Sequence, residues 1–323
     1  MCSESDAREG NGFAMTATLE TLREQVRSCL EGGDVERAAD ACLRGLRQYP
    51  RWVEGHRFLG EINLSQDALD AARHCFELVA SAQPDNATPF VGIGVVMEHQ
   101  QRFAEAVVAF ERALDLDQSD TEVRQELVRL YAQLRVTRGV QTTRAALAHQ
   151  HVHGHMLRQA QSEIDGLLDG APQRLDLMLA RARVAWLSGK LDLAERFARA
   201  VLDVSPDCVL ANLIVGETLS RSGNSDKAEP FLQAVRELDP EAQLSSIALQ
   251  DLLAEGATIA SGMPTETRPA PFDESHADEA LADDARPRPD ALAHVTPDSG
   301  TGAIGGQGWA SASADLPGQG ATS

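Results

Sequence analysis

The sequence predicts an all-α chain of stacked helical hairpins, and three observations predict it. Prolines recur 34 residues apart, at Pro50 and Pro84 and again at Pro172, Pro206 and Pro240. An alanine stands twelve residues before each of them, at Ala38, Ala72, Ala160, Ala194 and Ala228. Ala106 continues that series, although Gln118 replaces the proline there. Between these landmarks, apolar residues fall at helical spacing on both sides of turn-forming stretches such as "EGGDVERAA", "LSGKLDLAE" and "RSGNSDKAE". Such a period marks a repeated unit that buries its apolar face only against its neighbours.

The elements follow in chain order. Residues 1–18 read as a disordered leader. "MCSESDAREGNGFAM" lacks an apolar core behind a basic start, so it is no secretory signal, and Cys2 has no lipoprotein context. Met15 is an alternative start. Each unit beyond is two helices joined by a tight turn. In "FVGIGVVMEHQQRFAEAVVAFERALDLD", Phe90, Ile93, Gly94 and Met97 share one stripe of the first helix. Phe103, Ala106, Val107 and Phe110 share one stripe of the second. Small residues at Gly60, Gly94, Ala148, Ala182 and Gly216 let the paired helices approach closely. A proline after each second helix breaks the chain between units.

These stretches, and "LARARVAWLSGKLDLAERFARAVLDVSP" with them, resemble tetratricopeptide repeats. The likeness covers about residues 19–242, with units beginning at Leu19, Val53, Ala87, Thr121, Gln141, Leu175 and Val209. It lies in the second-helix alanines and the prolines, and departs at the family's first aromatic, where His56, Arg124, Arg144 and Asn212 stand. The resemblance implies a right-handed superhelical solenoid whose first helices line a concave groove.

One irregularity interrupts the array. Residues 121–140 supply a first helix, "TEVRQELVRLYAQL", and no room for a second, so the register slips by 20 residues. The expected organisation is an N-terminal arm of three repeats (19–120), a single-helix junction (121–140) and a C-terminal arm of three repeats (141–256), bent or partly split at the junction. "EAQLSSIALQDLLAE" closes the second arm as a capping helix, with Leu244, Ile247, Ala248 and Leu252 on one face. Residues 257–323 read as a disordered acidic tail. From Ser261 onward it holds seven of the fourteen prolines and ten acids against three arginines. Its stretch "FDESHADEALADDA" is either a solubilising segment or an acidic helix that docks through Phe272 and Leu281.

Composition narrows the function. A net charge of −20 argues against nucleic acid or anionic membranes as partners, and no long apolar run spans a membrane. Five scattered cysteines without a CxxC fit reduced thiols and a cytoplasmic location. No Gly-rich phosphate loop, GxSxG or HExxH occurs, and the repeats consume the chain, so neither an enzyme nor a cofactor is expected. "AHQHVHGHM" places His149, His151, His153 and His155 at alternate positions. Helical residues two apart point in nearly opposite directions, so they do not converge as metal ligands. The expected reading is one packed imidazole, His151, and three at the surface or turn. The alternatives are a two-histidine metal or pH-responsive site and helical-repeat RNA binding.

The leading expectation is a non-catalytic scaffold that binds a protein or peptide, acidic by preference, on the concave face. The family register places Arg23, Arg27 and Arg57 there as a basic cluster, facing Glu20, Glu54 and Glu61. Arg129 adds to it at the junction. His149, Asp176, Leu179, Arg183, Leu213 and Trp186 follow in the second arm, with Trp186 either an apolar anchor or packing between repeats. The junction, with six arginines and two acids over 121–160, is a second acceptor for an acidic partner or for the chain's own tail. The oligomeric state is open, self-association included.

Overall fold

A computed structural model describes residues 18–246, and among them every regular element is an α-helix. Six hairpins form: α1 (Leu19–Glu31) with α2 (Val35–Gln48), α3 (Val53–Ser65) with α4 (Leu69–Ala82), and α5 (Thr88–His99) with α6 (Phe103–Leu116). After the lone α7 (Thr121–Gln133) come α8 (Arg144–His153) with α9 (Leu157–Gly170), α10 (Leu175–Leu187) with α11 (Leu191–Val204), and α12 (Val209–Arg221) with α13 (Ser225–Leu238). The expected leader up to residue 17, the tail 257–323, and Ile247, Ala248 and Leu252 of the expected cap lie outside the described residues. Leu244 of that cap packs against the core.

The repeated small residues are steric necessities. Ala38, Ala72, Ala106, Ala160, Ala194 and Ala228 are all 0–1% exposed. A Cβ added at Gly60 would lie 2.8 Å from the Phe76 ring, at Gly94 2.7 Å from Phe110, and at Gly216 2.6 Å from Leu232. Three of the six hairpins thus seat a large second-helix side chain directly on a first-helix glycine. Gly55 does the same for Trp52, whose ring sits 2.3 Å from where its Cβ would be.

The hairpin turns also repeat to the residue. Gly33, Asp67, Gln101 and Arg135 have positive φ, 34 residues apart, and so do His155, Gly189 and Gly223. At each, two backbone bonds close a left-handed helix ending, as in Gly33 N–H to the Leu30 carbonyl and Asp34 N–H to the Cys29 carbonyl. Arg135 completes the same turn after α7, with Val136 N–H on the Tyr131 carbonyl at 2.8 Å. The fourth unit therefore makes its turn and then lacks its second helix. Arg138 instead ties the following loop back to Glu111 of α6, which also accepts from the Tyr131 hydroxyl.

Three of the four departures from the family's aromatic position have a common role, while Arg144 pairs with Glu163. His56 Nε2 donates to the Pro50 carbonyl (2.9 Å), Arg124 Nη2 to the Gln118 carbonyl (3.0 Å) and Asn212 Nδ2 to the Pro206 carbonyl (2.9 Å). A polar donor in the first helix thus satisfies the loop carbonyl six residues earlier, where the aromatic would have supplied packing.

Without the missing helix, α8 packs on α6, and the two halves of the array fold toward each other. Val53, Val79 and Ala82 share one apolar cluster with Cys208, Val209 and the rest of α10–α13. Ser205 Oγ lies 2.8 Å from Ser81 Oγ and from the Ser81 carbonyl oxygen. Arg51 reaches Asp207 (2.5 Å) and Glu237 (2.6 Å).

Candidate protein-interaction surface

On the N-terminal hairpins, Arg23, Arg27 and Arg57 converge on a single carboxylate. Glu54 lies 4.0 Å from Arg23, 3.8 Å from Arg27 and 3.4 Å from Arg57. Each guanidinium has a second acid: Glu241 for Arg23 (3.4 Å), Glu24 for Arg27 (3.6 Å) and Glu61 for Arg57 (2.5 Å). Arg57 also stacks over Phe58 at 4.3 Å. Arg27 stays open to solvent, while Arg23 and Arg57 are largely covered. Burial raises the Glu61 carboxyl above its ordinary value, against the opposing charge and hydrogen bond of Arg57.

The second polar cluster is deeper and joins the two halves. Asp176, on α10, is fully buried. Its Oδ1 accepts from Arg112 Nη2 (2.5 Å) and Arg174 Nε (3.3 Å), its Oδ2 from Arg174 Nη2 (2.7 Å) and His149 Nε2 (3.2 Å). Arg174 also reaches Asp115 of α6 at 3.0 Å, and Thr143, the N-cap of α8, donates to the same carboxylate. Burial alone would push the Asp176 carboxyl up. The hydrogen bonds from His149 and Arg174 and the charges of Arg112 and Arg174 more than reverse this, holding it well below the carboxylate range.

Several sequence expectations change here. The packed imidazole is His149, 5% exposed, and not His151, which is half-buried. The face expected to open on the groove is covered, because α8 lies against both α6 and α10. Asp176, Leu179 and Leu213 were expected to line the groove and are buried instead. Trp186 is 4% exposed, with Arg221 over its ring at 4.6 Å. Arg183 is half-buried on α10. Arg129 contacts Glu98 (2.5 Å) and Glu126 (2.7 Å). His153 and His155 are exposed at the turn. Among the described residues no three His, Cys, Asp or Glu side chains are placed to hold a metal ion.

Sequence reasoning missed Arg112, Asp115 and Arg174. Their only local signal is the pair Arg174 and Asp176 at the start of α10; the partners come from α6, some 60 residues away. Cys42, Cys75 and Cys208 are buried thiols. Burial pushes the Cys42 and Cys208 thiols up to about 12, and Cys42 Sγ donates to the Gly55 carbonyl at 3.2 Å. Among the described residues no helix is long and apolar enough to cross a membrane.

The tetratricopeptide repeat model matches residues 23–87, 65–121 and 179–242, together just over half of the chain. The stretch it passes over holds α7–α9, where the register slips. No curated protein matches the sequence. Among solved structures, the TPR domain of P58(IPK) is 16% identical, with a TM-score of 0.33 over 76% of this chain and 67% of that one. A tetratricopeptide repeat protein from Parabacteroides merdae is 15% identical, with a TM-score of 0.32 over 77% and 94%. YrrB, described as a TPR protein with an unusual peptide-binding site, is 17% identical, with a TM-score of 0.28 over 65% and 97%. Repeats of this kind indicate a protein–protein interaction scaffold. On its period, its hairpins and the three family matches, the chain belongs to the tetratricopeptide repeat family.

Proposed function

We propose that this chain is a non-catalytic scaffold that grips an acidic protein or peptide segment on the first-helix face of its N-terminal hairpins. The observation that carries this reading is the convergence of Arg23, Arg27 and Arg57 on Glu54. Three guanidiniums around one carboxylate form a ready-made acceptor for an acidic side chain, which displaces the shared glutamate and keeps the two-pronged geometry. Arg129 extends the same chemistry along the array. His149 and Trp186 serve packing in this reading. The buried thiols suit a reducing, cytoplasmic setting.

The test is selection of peptides from a displayed library by the full-length chain, repeated with the triple variant Arg23→Glu, Arg27→Glu, Arg57→Glu. The native chain should enrich acidic peptides, and the triple variant should lose at least about tenfold in affinity for them, with Glu54→Gln binding them at least as well as native. Enrichment of peptides that bind both chains equally would remove the inner arginines from the function.

A further inference from the structure

We infer that the outer face of α2 is the docking surface for this chain's own acidic segment, residues 272–285. Arg37, Asp40, Arg44 and Arg47 lie on one stripe of α2, at helical spacings of three, four and three. With Gln25 of α1 they line a recess of about 460 Å³. Arg44 Nη2 donates to Gln25 Oε1 at 3.0 Å, and Arg37 pairs with the exposed Asp34 at 3.3 Å, a solvated contact of small worth. Three guanidiniums and one carboxylate therefore line the recess, on a chain whose net charge is −20.

Three of the six arginines of the junction, the other basic run, are paired with acids of neighbouring helices or of their own. Arg129 meets Glu98 and Glu126, Arg138 meets Glu111, and Arg144 meets Glu163 at 2.9 Å. The α2 stripe gathers its three guanidiniums around a single recess, which suits a compact anionic segment.

The occupant follows from charge and reach. Residues 272–285 carry three adjacent acid pairs, Asp273 with Glu274, Asp278 with Glu279, and Asp283 with Asp284, and no basic residue other than His276. The described chain ends at Ser246, and Glu241 just before it lies 3.4 Å from Arg23 on α1, the helix paired with α2. The described chain therefore ends five residues after a contact with the hairpin that bears the stripe. Residues 247–271 separate Ser246 from the segment, and a random-coil chain of about 25 residues spans roughly 25–30 Å root-mean-square, against about 10–12 Å for one helix. Tethering at that distance supplies an effective concentration in the millimolar range, so a weak charge-driven contact suffices.

The test uses a fluorescent peptide of residues 272–285 and the full-length chain with its six segment acids changed to Asn or Gln. That chain should bind the peptide, and binding should weaken at least about tenfold from low salt to roughly 0.5 M. The native chain should bind it at least about tenfold more weakly, since its own segment competes. Adding Arg37→Ser, Arg44→Ser and Arg47→Ser to the neutralised chain should abolish binding with an unchanged circular dichroism spectrum. The inner triple variant of Arg23, Arg27 and Arg57 should leave it intact, which separates this surface from the one proposed above. No binding, binding that survives loss of the α2 arginines, or binding lost with the inner ones would overturn the assignment. A dimer in sedimentation that dissociates when the segment is neutralised would also overturn it, by giving the stripe to a second copy.

Discussion

Two polar seams add to the apolar cluster that joins the halves of this solenoid, and they are built differently. At the joint, Asp176 receives hydrogen bonds on both oxygens from Arg112, Arg174 and His149, and Asp115 receives Arg174 and Thr143. Both buried carboxylates there are met by directed donors. At the ends, Glu241 sits against Arg23 at 3.4 Å, yet Arg23 Nε and Glu241 Oε2 are buried without a hydrogen bond. Burial raises the Glu241 carboxyl, the Arg23 charge lowers it, and Glu54, Glu20 and Asp239 raise it again. Burial opposes both carboxylates, but only Asp176 has donors enough to overcome it. Of these two polar seams, the Arg23–Glu241 contact is the one less provided with hydrogen bonds.

The largest effect should come from the joint. Asp176→Ala leaves Arg112, Arg174 and His149 facing an empty position and should cost about 3–5 kcal/mol in urea unfolding. The acid limb carries the same information. Asp176 has a folded value held below its ordinary 3.8, so its contribution is complete above that pH and is lost as the pH falls toward the folded value. Asp176→Asn should flatten the acid limb; an unchanged limb would show that the carboxylate is not the keystone.

Glu241 runs the other way. A raised folded value means that folding is favoured by the protonated form and loses stability as the pH rises through that value. Glu241→Gln should therefore be neutral or stabilising by under about 1 kcal/mol at pH 7, with the difference vanishing in acid. Glu241→Lys, which sets a second cation against Arg23, should speed amide exchange across 239–245 while the amides of α8 and α10 stay protected. Equal loss of protection at both seams would erase the distinction between them.

What was legible in the sequence is what sterics demands locally. Ala106 and Gly94 had to be small because Phe110 and its partner helix leave no room, and their period gave the hairpins. The slip at 121–140 was legible because a helix needs residues that are absent there. The site was less so. Family register predicted which face of α8 held His149, but the missing helix moved α8 onto α6, and that face closed over Asp176. Arg112 and Asp115 looked like ordinary surface charges on α6, and only the fold-back buries them against α10. The α2 stripe went unseen because groove reasoning considered first helices alone.

The smallest effect tests whether the fourth unit's turn is a working turn. Arg135 holds φ at 55°, in the conformation that Gly33, Gly189 and Gly223 supply in other units. A side chain there costs on the order of 1 kcal/mol, partly offset by the greater freedom a glycine has when unfolded. Gln101 pays the same strain at φ 61°, but its turn leads into α6 and the core. Gln101→Gly and Arg135→Gly should both stabilise, by roughly 0.5–1 kcal/mol each, if both turns are folded to the same degree. A gain at 101 without one at 135 would mean that the turn after α7 contributes nothing to global stability. The joint would then rest on α6, α8 and α10 alone, and the Tyr131, Arg138 and Glu111 contacts would be ornaments on it.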